Sequence, residues 1–384
     1  MKYYVSWITF LFLLISACAP TSTITSSTPV PAATPSATPS QETRLAWQLE
    51  WDKLVAAARN EGRVVLYTTA GSDVRTELSK AFKARYGVDL EQLPGRGEDL
   101  ANKIITERRA GLYLADAYMA GPTTQINVLK PAGVFGKTEE ALILPEVIDE
   151  NLWLNRKLPF LDEERYIFSP RASPSQLITI NTNLVKEAEI KSYRDLLNPK
   201  WKKNIVMQDP TFTGTAQTGL SMIGYKIMNW DFVRELARQE PVILRNDRLL
   251  VEWVAKARYP IGFGLKTDMV NEFILADASL KRVTAEEGTF LTSGAATFSI
   301  IKRPAHPNAL KVFANWLLSR EGQTVYSRAN QTASARLDIP TNHLPPEELI
   351  SAMARYYPED EDFYLKKPEF DKMLIESFGP LLSR

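Results

Sequence analysis

The sequence predicts an α/β protein with two lobes, in which strands and helices alternate along the chain. In the first half, β-rich segments at residues 63–69, 88–93 and 114–120 each lead into a glycine- or proline-containing turn and then into a helix. Such alternation is typical of a mainly parallel sheet whose faces are covered by helices. Roughly 340 residues of ordinary apolar content follow the N-terminal region, which is enough for two domains of usual size.

The N-terminus has the features of an export signal. Lys2 precedes an apolar run at residues 3–17, which is too short to span a bilayer as a mature helix. The run ends before Cys18 in a sequence that resembles the lipobox of bacterial lipoproteins. Cys18 is the single cysteine of the chain, so no structural disulfide can form, and lipid attachment accounts for it. We expect a signal peptide at 1–17 and an exported protein anchored to the cell envelope through Cys18, with an ordinary signal peptide and a chance cysteine as the alternative.

Residues 18–46 are rich in Thr, Ser and Pro and nearly free of charge and of bulky apolar side chains. Such a segment cannot bury enough surface to offset the entropy of ordering it. The prolines stiffen it towards an extended conformation. We therefore predict a disordered tether between the anchor and the folded part.

Charge and composition exclude several classes of function. The chain has 46 basic and 45 acidic residues, so no overall field attracts nucleic acid. With Cys18 acylated, His306 and His343 cannot build a zinc site or a Cys/His nucleophile pair. Asp116 and Asp209 could serve a carboxylate-pair hydrolase, but their apolar strand and Asp-Pro contexts indicate structural roles. We expect no catalytic residue, no cofactor and no resident metal, and keep an exported hydrolase as a minor alternative.

Periodicity and turn residues predict the remaining elements. Residues 135–175 are irregular and rich in proline and aromatic side chains, which indicates a crossing between lobes, and residues 288–299 are predicted to return. We predict helices at 51–60, 74–86, 100–109, 192–199, 215–228, 231–238, 248–257, 307–318 and 319–326, and later strands at 176–181, 203–207 and 260–265. The predicted division is lobe 1 at 47–172 and 288–329, lobe 2 at 173–287, and short C-terminal helices on the hinge or lobe 2 at 330–384.

Four groups of residues carry a resemblance to a known family through their order and spacing. They are 51–58 with 61–62, 180–185, 195–202 with 209–210, and 306–309 with 315–323. Together they resemble the family 1 extracellular solute-binding proteins of bacteria, which have the type II periplasmic-binding fold. The resemblance implies two hinged lobes, a monomer that captures a small-molecule or ion ligand in the cleft, and delivery to the permease and ATPase of an ABC importer.

Ferric-iron receptors form one branch of this family and typically hold the metal with adjacent tyrosines in the second lobe. The matching position here has only Tyr259, which lies between Arg258 and Pro260. A hard trivalent cation needs several anionic oxygen ligands, so this position is a poor start for an iron site. The pair Tyr356-Tyr357 lies in the C-terminal tail, at the wrong point in the order. Ferric iron stays the alternative ligand.

Turns after strands supply the candidate ligand contacts. In open α/β lobes, ligands bind beyond the carboxyl ends of the strands, where helix N-termini present free backbone N–H groups. Tight-turn geometry is the alternative explanation for each glycine, and an ordinary surface charge for each cation. The candidate ligand-binding residues are Gly71, Ser72, Arg96, Gly97, Gly121, Thr123, Arg171, Thr213, Gly214, Thr215 and Lys266.

The turn at residues 213–215 gives the most specific expectation. Gly214 is predicted to let the backbone approach a small anion, while Thr213 and Thr215 add hydroxyl donors at the start of a helix. The alternative is that Thr213 only caps that helix. The sequence therefore predicts a cleft that favours a carboxylate or phosphate.

Overall fold

The computed structural model describes residues 45–351 and 353–382. The predictions for the signal peptide, Cys18 and nearly all of the tether lie outside these residues. The helices are α1 (Ala46–Glu61), α2 (Ser72–Tyr86), α3 (Gly97–Arg109), α4 (Pro122–Thr124), α5 (Pro145–Ile148), α6 (Thr215–Met222), α7 (Trp230–Arg238), α8 (Asp247–Ala255), α9 (Thr267–Leu275), α10 (Pro307–Leu318), α11 (Arg320–Asn330) and α12 (Glu361–Leu382). The strands are β1 (Arg63–Thr68), β2 (Asp89–Pro94), β3 (Ala117–Ala120), β4 (Ser173–Pro174), β5 (Ile178–Asn181), β6 (Ile205–Gln208), β7 (Val242–Leu244), β8 (Ile261–Phe263), β9 (Leu280–Val283), β10 (Thr289–Thr292), β11 (Thr297–Ile300) and β12 (Tyr356–Pro358).

The first sheet has the strand order β11-β3-β1-β2. β1 is parallel to β2 and β3, and β11 is antiparallel to β3. Helices α1, α2, α10 and α11 pack together beside it, around a cluster in which the Phe82 ring lies 5.3 Å from the rings of both Phe313 and Trp316. The aromatic core fixes the sheet edge at which β1 and β3 end.

The second sheet has the order β7-β6-β8-β5-β9 and is mixed. β6 is parallel to β7 and β8, whereas β5 is antiparallel to β8 and β9. The α/β fold class is therefore confirmed, with mixed sheets in both cases. The parallel strands β6 and β8 each run towards the start of a helix, α6 and α9 respectively.

A third, small sheet contains the segments that connect the other two. Its order is β12-β10-β4, so the chain passes through β4 on its way to β5 and through β10 on its way back to β11. The residue boundaries given above for the lobes stay predictions.

Two helices continue in a wider, π-helical form. The segment Gln125–Leu129 follows α4 directly, and Ile223–Ile227 follows α6 directly. The helix predicted at 215–228 is thus α-helical only to Met222. Both π-helical segments pack near α12. In proteins, π-helical turns often mark functional positions.

The structure corrects the sequence predictions at three further places. The helix predicted at 319–326 does not simply continue the one before it, because Ser319 Oγ accepts a hydrogen bond from the Gly322 N–H and caps α11, which runs on to Asn330. The C-terminal tail forms one helix of 22 residues, α12, rather than several short ones. Helix α9 was not predicted, although Met269, Val270, Phe273 and Ile274 lie at helical spacing along it and pack in one apolar cluster. In the described residues we find no helix that has the length and apolar character needed to cross a membrane.

Candidate functional site

A cavity of about 530 Å³ lies where the helices that follow the strands of both large sheets begin. Turns and helix starts that follow strands of the two large sheets line it, together with residues of the small third sheet and of the C-terminal segment. Eight of the eleven predicted ligand-binding residues are among the lining residues: Gly71, Gly121, Thr123, Arg171, Thr213, Gly214, Thr215 and Lys266. The positions that the strand-end argument selected from distant parts of the sequence therefore meet at one place.

The other three predicted residues do not line the cavity. Ser72 is exposed, and its hydroxyl bonds to Asp73 Oδ1 at 3.0 Å. Arg96 is exposed at the position preceding α3. The carbonyl of Gly97 accepts a hydrogen bond of 2.9 Å from the Tyr118 hydroxyl, which fixes the start of α3. The turn after β2 thus lies outside the cavity lining, and β2 is the edge strand of its sheet.

Besides the three-residue α4, three longer helices begin at the cavity wall, and within the described residues the capping residue of each gives no side-chain hydrogen bond. The capping residues are Gly71 for α2, Gly214 for α6 and Lys266 for α9. By contrast, Asn229 and Asn246 cap α7 and α8 with their side chains. The first N–H groups of a helix carry the positive end of its dipole. Their convergence favours a negatively charged ligand group.

Arg171 supplies the strongest positive charge of the cavity. Its Nε donates to Ser173 Oγ at 3.1 Å, and its side chain is half-buried. In the described part of the chain, no carboxylate forms an ion pair with the guanidinium group. A guanidinium group presents several donors in a fixed plane that matches a carboxylate or phosphate. Arg171 is therefore positioned to bind an anion.

Lys266 is a weaker candidate. Its ammonium group lies 3.3 Å from Asp268 Oδ2, and both side chains are about half exposed. Exposed pairs of this kind contribute little, and the carboxylate offsets part of the positive charge. We assign Lys266 to the rim of the cavity.

The Gln208 side chain gives a structural reason for the glycine at position 214. A Cβ atom at this position would lie 2.5 Å from Gln208 Oε1, so the glycine leaves space for the Gln208 amide. Gly214 lines the cavity, and its approach to an anion stays a prediction. Gln208 Oε1 accepts a hydrogen bond of 3.0 Å from the Ala216 N–H. Gln208 thereby caps the first turn of α6. The alternative interpretation made Thr213 the capping residue, but Thr213 does not cap this helix. Thr215 remains at the first helical position and faces the cavity.

Hydroxyl groups dominate the polar lining, which the sequence did not reveal. The lining threonines are Thr69, Thr123, Thr213, Thr215, Thr218, Thr267, Thr292 and Thr332, and Ser175 joins them. Six of these nine positions lie outside the predicted site. Hydroxyl groups both donate and accept hydrogen bonds, so this wall suits a polar ligand with little extra charge.

The C-terminal segment contributes two further lining residues, Glu359 and Tyr364. Glu359 is 7% exposed, and burial raises its pKa. Burial also raises the pKa of Tyr364 and of the lining residue Tyr326. No sequence motif marks these residues, because only the folded tail brings them to the cavity.

Residues 64–329 match the family model described as bacterial extracellular solute-binding protein, and this is well over half of the chain. The chain belongs to the bacterial extracellular solute-binding protein family. It is accordingly a solute-binding protein and not an enzyme. An uncharacterised protein of Haemophilus influenzae is 25% identical to this solute-binding protein over 285 residues, which are 70% of this chain and 76% of that protein.

Solved structures confirm the periplasmic-binding fold of the solute-binding protein. Iron-bound HitA from Pseudomonas aeruginosa aligns with a TM-score of 0.64 and 17% identity, covering 82% of this chain and 99% of that chain. AfuA from Actinobacillus pleuropneumoniae, with fructose 6-phosphate bound, aligns with a TM-score of 0.61 and 19% identity, covering 83% and 99%. The substrate-binding protein of an ABC transporter from Agrobacterium tumefaciens aligns with a TM-score of 0.63 and 13% identity, covering 82% and 94%.

The acidic residues considered for catalysis have structural partners in this solute-binding protein. The Asp116 carboxylate accepts hydrogen bonds from the N–H groups of Val65 and His306, at 2.8 and 2.9 Å, and contacts His306 Nδ1 at 2.8 Å. It thus joins β1 to the start of α10. Asp209 pairs with Arg245 at 2.8 Å. Burial opposes the ionisation of Asp209, but hydrogen bonds from Arg245 and Thr211 outweigh it and lower its pKa.

The tyrosines considered for iron lie outside the cavity lining. Tyr259 stacks on Trp253 with ring centroids 5.5 Å apart, and Tyr356 and Tyr357 belong to β12. In the ranges that the structure covers, no cluster of three or more His, Cys, Asp and Glu side chains could hold a metal ion.

Proposed function

We propose that this protein is the substrate-binding lipoprotein of an ABC importer, and that its cavity binds a small anionic solute. The observation that best supports an anionic ligand is the environment of Arg171. Its half-buried guanidinium group faces the cavity and has no carboxylate partner among the described residues. A buried charge of this kind is costly unless a ligand or water compensates it. The start of α6, with Thr215, and the start of α2, after Gly71, add positive dipole ends.

The transport role is supported by the family and by the fold neighbours. The match is to an extracellular solute-binding family, and one neighbour is described as the substrate-binding protein of an ABC transporter. Another neighbour holds fructose 6-phosphate, a phosphorylated ligand. Export and anchoring through Cys18 would place the receptor at the membrane that holds the permease and its ATPase.

Ferric iron is the alternative ligand, since HitA holds iron. The chemistry of the cavity opposes it. Fe³⁺ prefers anionic oxygen ligands, but burial raises the pKa of both lining tyrosines, Tyr326 and Tyr364, and so disfavours their phenolate forms. Burial disfavours the carboxylate form of Glu359 in the same way.

A thermal-shift screen of the folded part tests the ligand class. A compound that binds only the native state raises the melting temperature. We expect stabilisation by a carboxylate or phosphate and none by polyamines or ferric complexes. Arg171→Ala should weaken binding of the best anion by about 10- to 100-fold, since hydrogen bonds to charged groups contribute about 1.5–3 kcal/mol.

The matched control is Arg109→Ala, which removes an exposed positive charge at the end of α3, outside the cavity lining. It should leave the affinity unchanged. The anion assignment is wrong if the best compound is a bare cation or a ferric complex, or if both variants bind the anion as tightly as the wild type.

Lipidation at Cys18 has its own test. Cells that express the full chain are fed a clickable fatty acid, and the Cys18→Ala variant is compared with the wild type. We expect label on the wild type only, and release of the variant from the membrane fraction. Equal labelling, or equal release of both proteins to the medium, would show that no lipid is attached there.

A further inference from the structure

The C-terminal segment carries one buried carboxyl group to the cavity. Glu359 Oε2 accepts hydrogen bonds from the Ser293 N–H at 3.2 Å and from the Ser293 hydroxyl at 3.3 Å. Within the described residues, Glu359 Oε1 is buried and no group meets hydrogen-bond geometry with it, although the Tyr364 and Thr292 hydroxyl groups lie close enough to the carboxyl group to oppose the rise in its pKa. An unsatisfied buried oxygen destabilises the protein, and one that lines a ligand cavity can be satisfied by the ligand.

The residues that follow Glu359 fix its position through both π-helical segments. Asp360 Oδ2 lies 2.5 Å from the Lys226 ammonium group, and Glu361 Oε1 lies 2.5 Å from that of Lys130. Lys226 belongs to the segment Ile223–Ile227 beside the second sheet, and Lys130 directly follows Gln125–Leu129 beside the first. The start of α12 is thus held from two sides, which leaves Glu359 little freedom to move away from the cavity.

Burial is the largest influence on the Glu359 carboxyl group, and it raises the pKa. The neutral acid is the form that burial favours. A neutral carboxyl group can donate one hydrogen bond and accept others, which matches a hydroxyl group. An ammonium group would instead need the ionised form.

We propose that Glu359 contacts the solute and that its Oε1 pairs with a hydroxyl group, so that the cavity selects hydroxylated anions over anions without a hydroxyl group. This inference rests on the proposed anion-binding function, in which Arg171 holds the charged group. The threonine-rich lining agrees with it, because hydroxyl groups on both sides allow donors and acceptors to adapt to each other.

Matched pairs of probes test the selectivity. Glycerol 3-phosphate is compared with propyl phosphate, malate with succinate, and 3-aminopropyl phosphate represents the ammonium alternative. Affinities are measured by calorimetry for the wild type, Glu359→Ala, Glu359→Gln and the exposed control Glu369→Gln on α12. The melting temperature of each variant without a probe shows whether it is folded.

We expect the hydroxylated member of at least one pair to bind the wild type and the control about tenfold more tightly than its partner. Glu359→Ala should abolish this preference, and Glu359→Gln should keep most of it, because a neutral amide also donates and accepts. If the alanine variant does not fold, Glu359→Met takes its place, because methionine fills nearly the same space without a group that can donate to or accept from a hydroxyl group in this way, and it should also abolish the preference.

Three results would overturn the inference. The first is a hydroxyl preference that survives Glu359→Ala. The second is tighter binding of 3-aminopropyl phosphate with equal losses in the Ala and Gln variants, which would assign an ammonium group to Glu359. The third is binding of propyl phosphate or succinate with no advantage for a hydroxyl group, which would leave the proposed anion site standing. If none of the anions binds the wild type, the proposed function fails and this inference fails with it.

Discussion

Gly294 leaves open the space that the guanidinium group of Arg171 occupies. A Cβ atom on Gly294 would overlap this group, with Arg171 Cζ at 3.0 Å. Gly294 also has φ +54°, in the left-handed region that side chains disfavour. It lies between β10 and β11, on the path by which the chain returns to the first sheet. The position of the cavity's main cation therefore depends on a glycine more than a hundred residues away in the sequence.

Gly294→Ala should weaken anion binding by about tenfold or more, because the new methyl group displaces the guanidinium plane from its site. It should also lower stability by about 1–2 kcal/mol through backbone strain. Binding calorimetry and urea unfolding measure the two effects. Gly111→Ala is the control, since Gly111 has φ +75° with no described atom within 4 Å of its Cβ position. The control should lose stability and keep its affinity; if Gly294→Ala also keeps its affinity, Arg171 does not bind the anion.

Thr215→Asp should abolish anion binding while the protein stays folded. A carboxylate at the first position of α6 stabilises the helix by about 0.3–1 kcal/mol, but it repels an anion in the cavity. Thr215→Asn, which has nearly the same shape and no charge, should bind much better than the aspartate variant. Melting curves with and without the best anion check both points. Unchanged affinity in Thr215→Asp would place the anion away from the start of α6.

The buried Glu359 predicts a specific pH dependence of stability. Its folded-state pKa is raised above the ordinary glutamate value of about 4.3, so its contribution is full below that pH and declines as the pH rises through the folded-state pKa. The groups around it are Ser293, Tyr364 and the ammonium group of Lys367, and Arg171 lines the same cavity. Glu359→Gln cannot ionise, so its free energy of unfolding should rise relative to the wild type between about pH 4 and pH 8.

Urea unfolding across this pH range measures the difference, with Glu369→Gln as the exposed control. The control should track the wild type at every pH. The contrary results are a constant difference between the free energies of unfolding of Glu359→Gln and the wild type, or a difference that falls as the pH rises. Either result would mean that Glu359 is ionised in the folded protein without cost.

Binding should close the molecule around the ligand, because a clamshell that binds ligand better when closed shifts its population in that direction. Small-angle scattering at saturating concentrations of the best anion should show a smaller radius of gyration. Arg171→Ala at the same concentration should show a smaller change. A wild-type curve that ligand leaves unaltered would argue against closure on binding.

Local patterns were enough to predict most of the fold. The helix and strand positions from α1 to β3 follow from periodicity and turn residues, and α10 begins at Pro307 as predicted. The sequence could not show that α12 is a single helix, since Pro368 and Pro380 lie inside it. Its apolar residues Phe363 and Phe378 pack into the core, and this tertiary contact outweighs the local signal.

The site was predictable where it depends on strand ends and not where it depends on tertiary approach. Gly71 and Thr215 were found because a predicted helix follows a predicted strand at each, and Lys266 was found because it follows the strand predicted at 260–265. Glu359 was missed, since nothing local distinguishes it from the surface acids beside it. The sequence also could not show that Gly214 leaves space for the Gln208 amide, because that contact depends on how the turn after β6 folds back on the strand.

The most direct test of the account is a crystal structure of the protein with the anion that stabilises it most in the thermal-shift screen. We predict that the ligand occupies the cavity, with its charged group within hydrogen-bond distance of the Arg171 guanidinium group and facing the start of α6. A ligand bound outside the cavity, or one that turns a neutral or cationic group towards Arg171, would contradict the account.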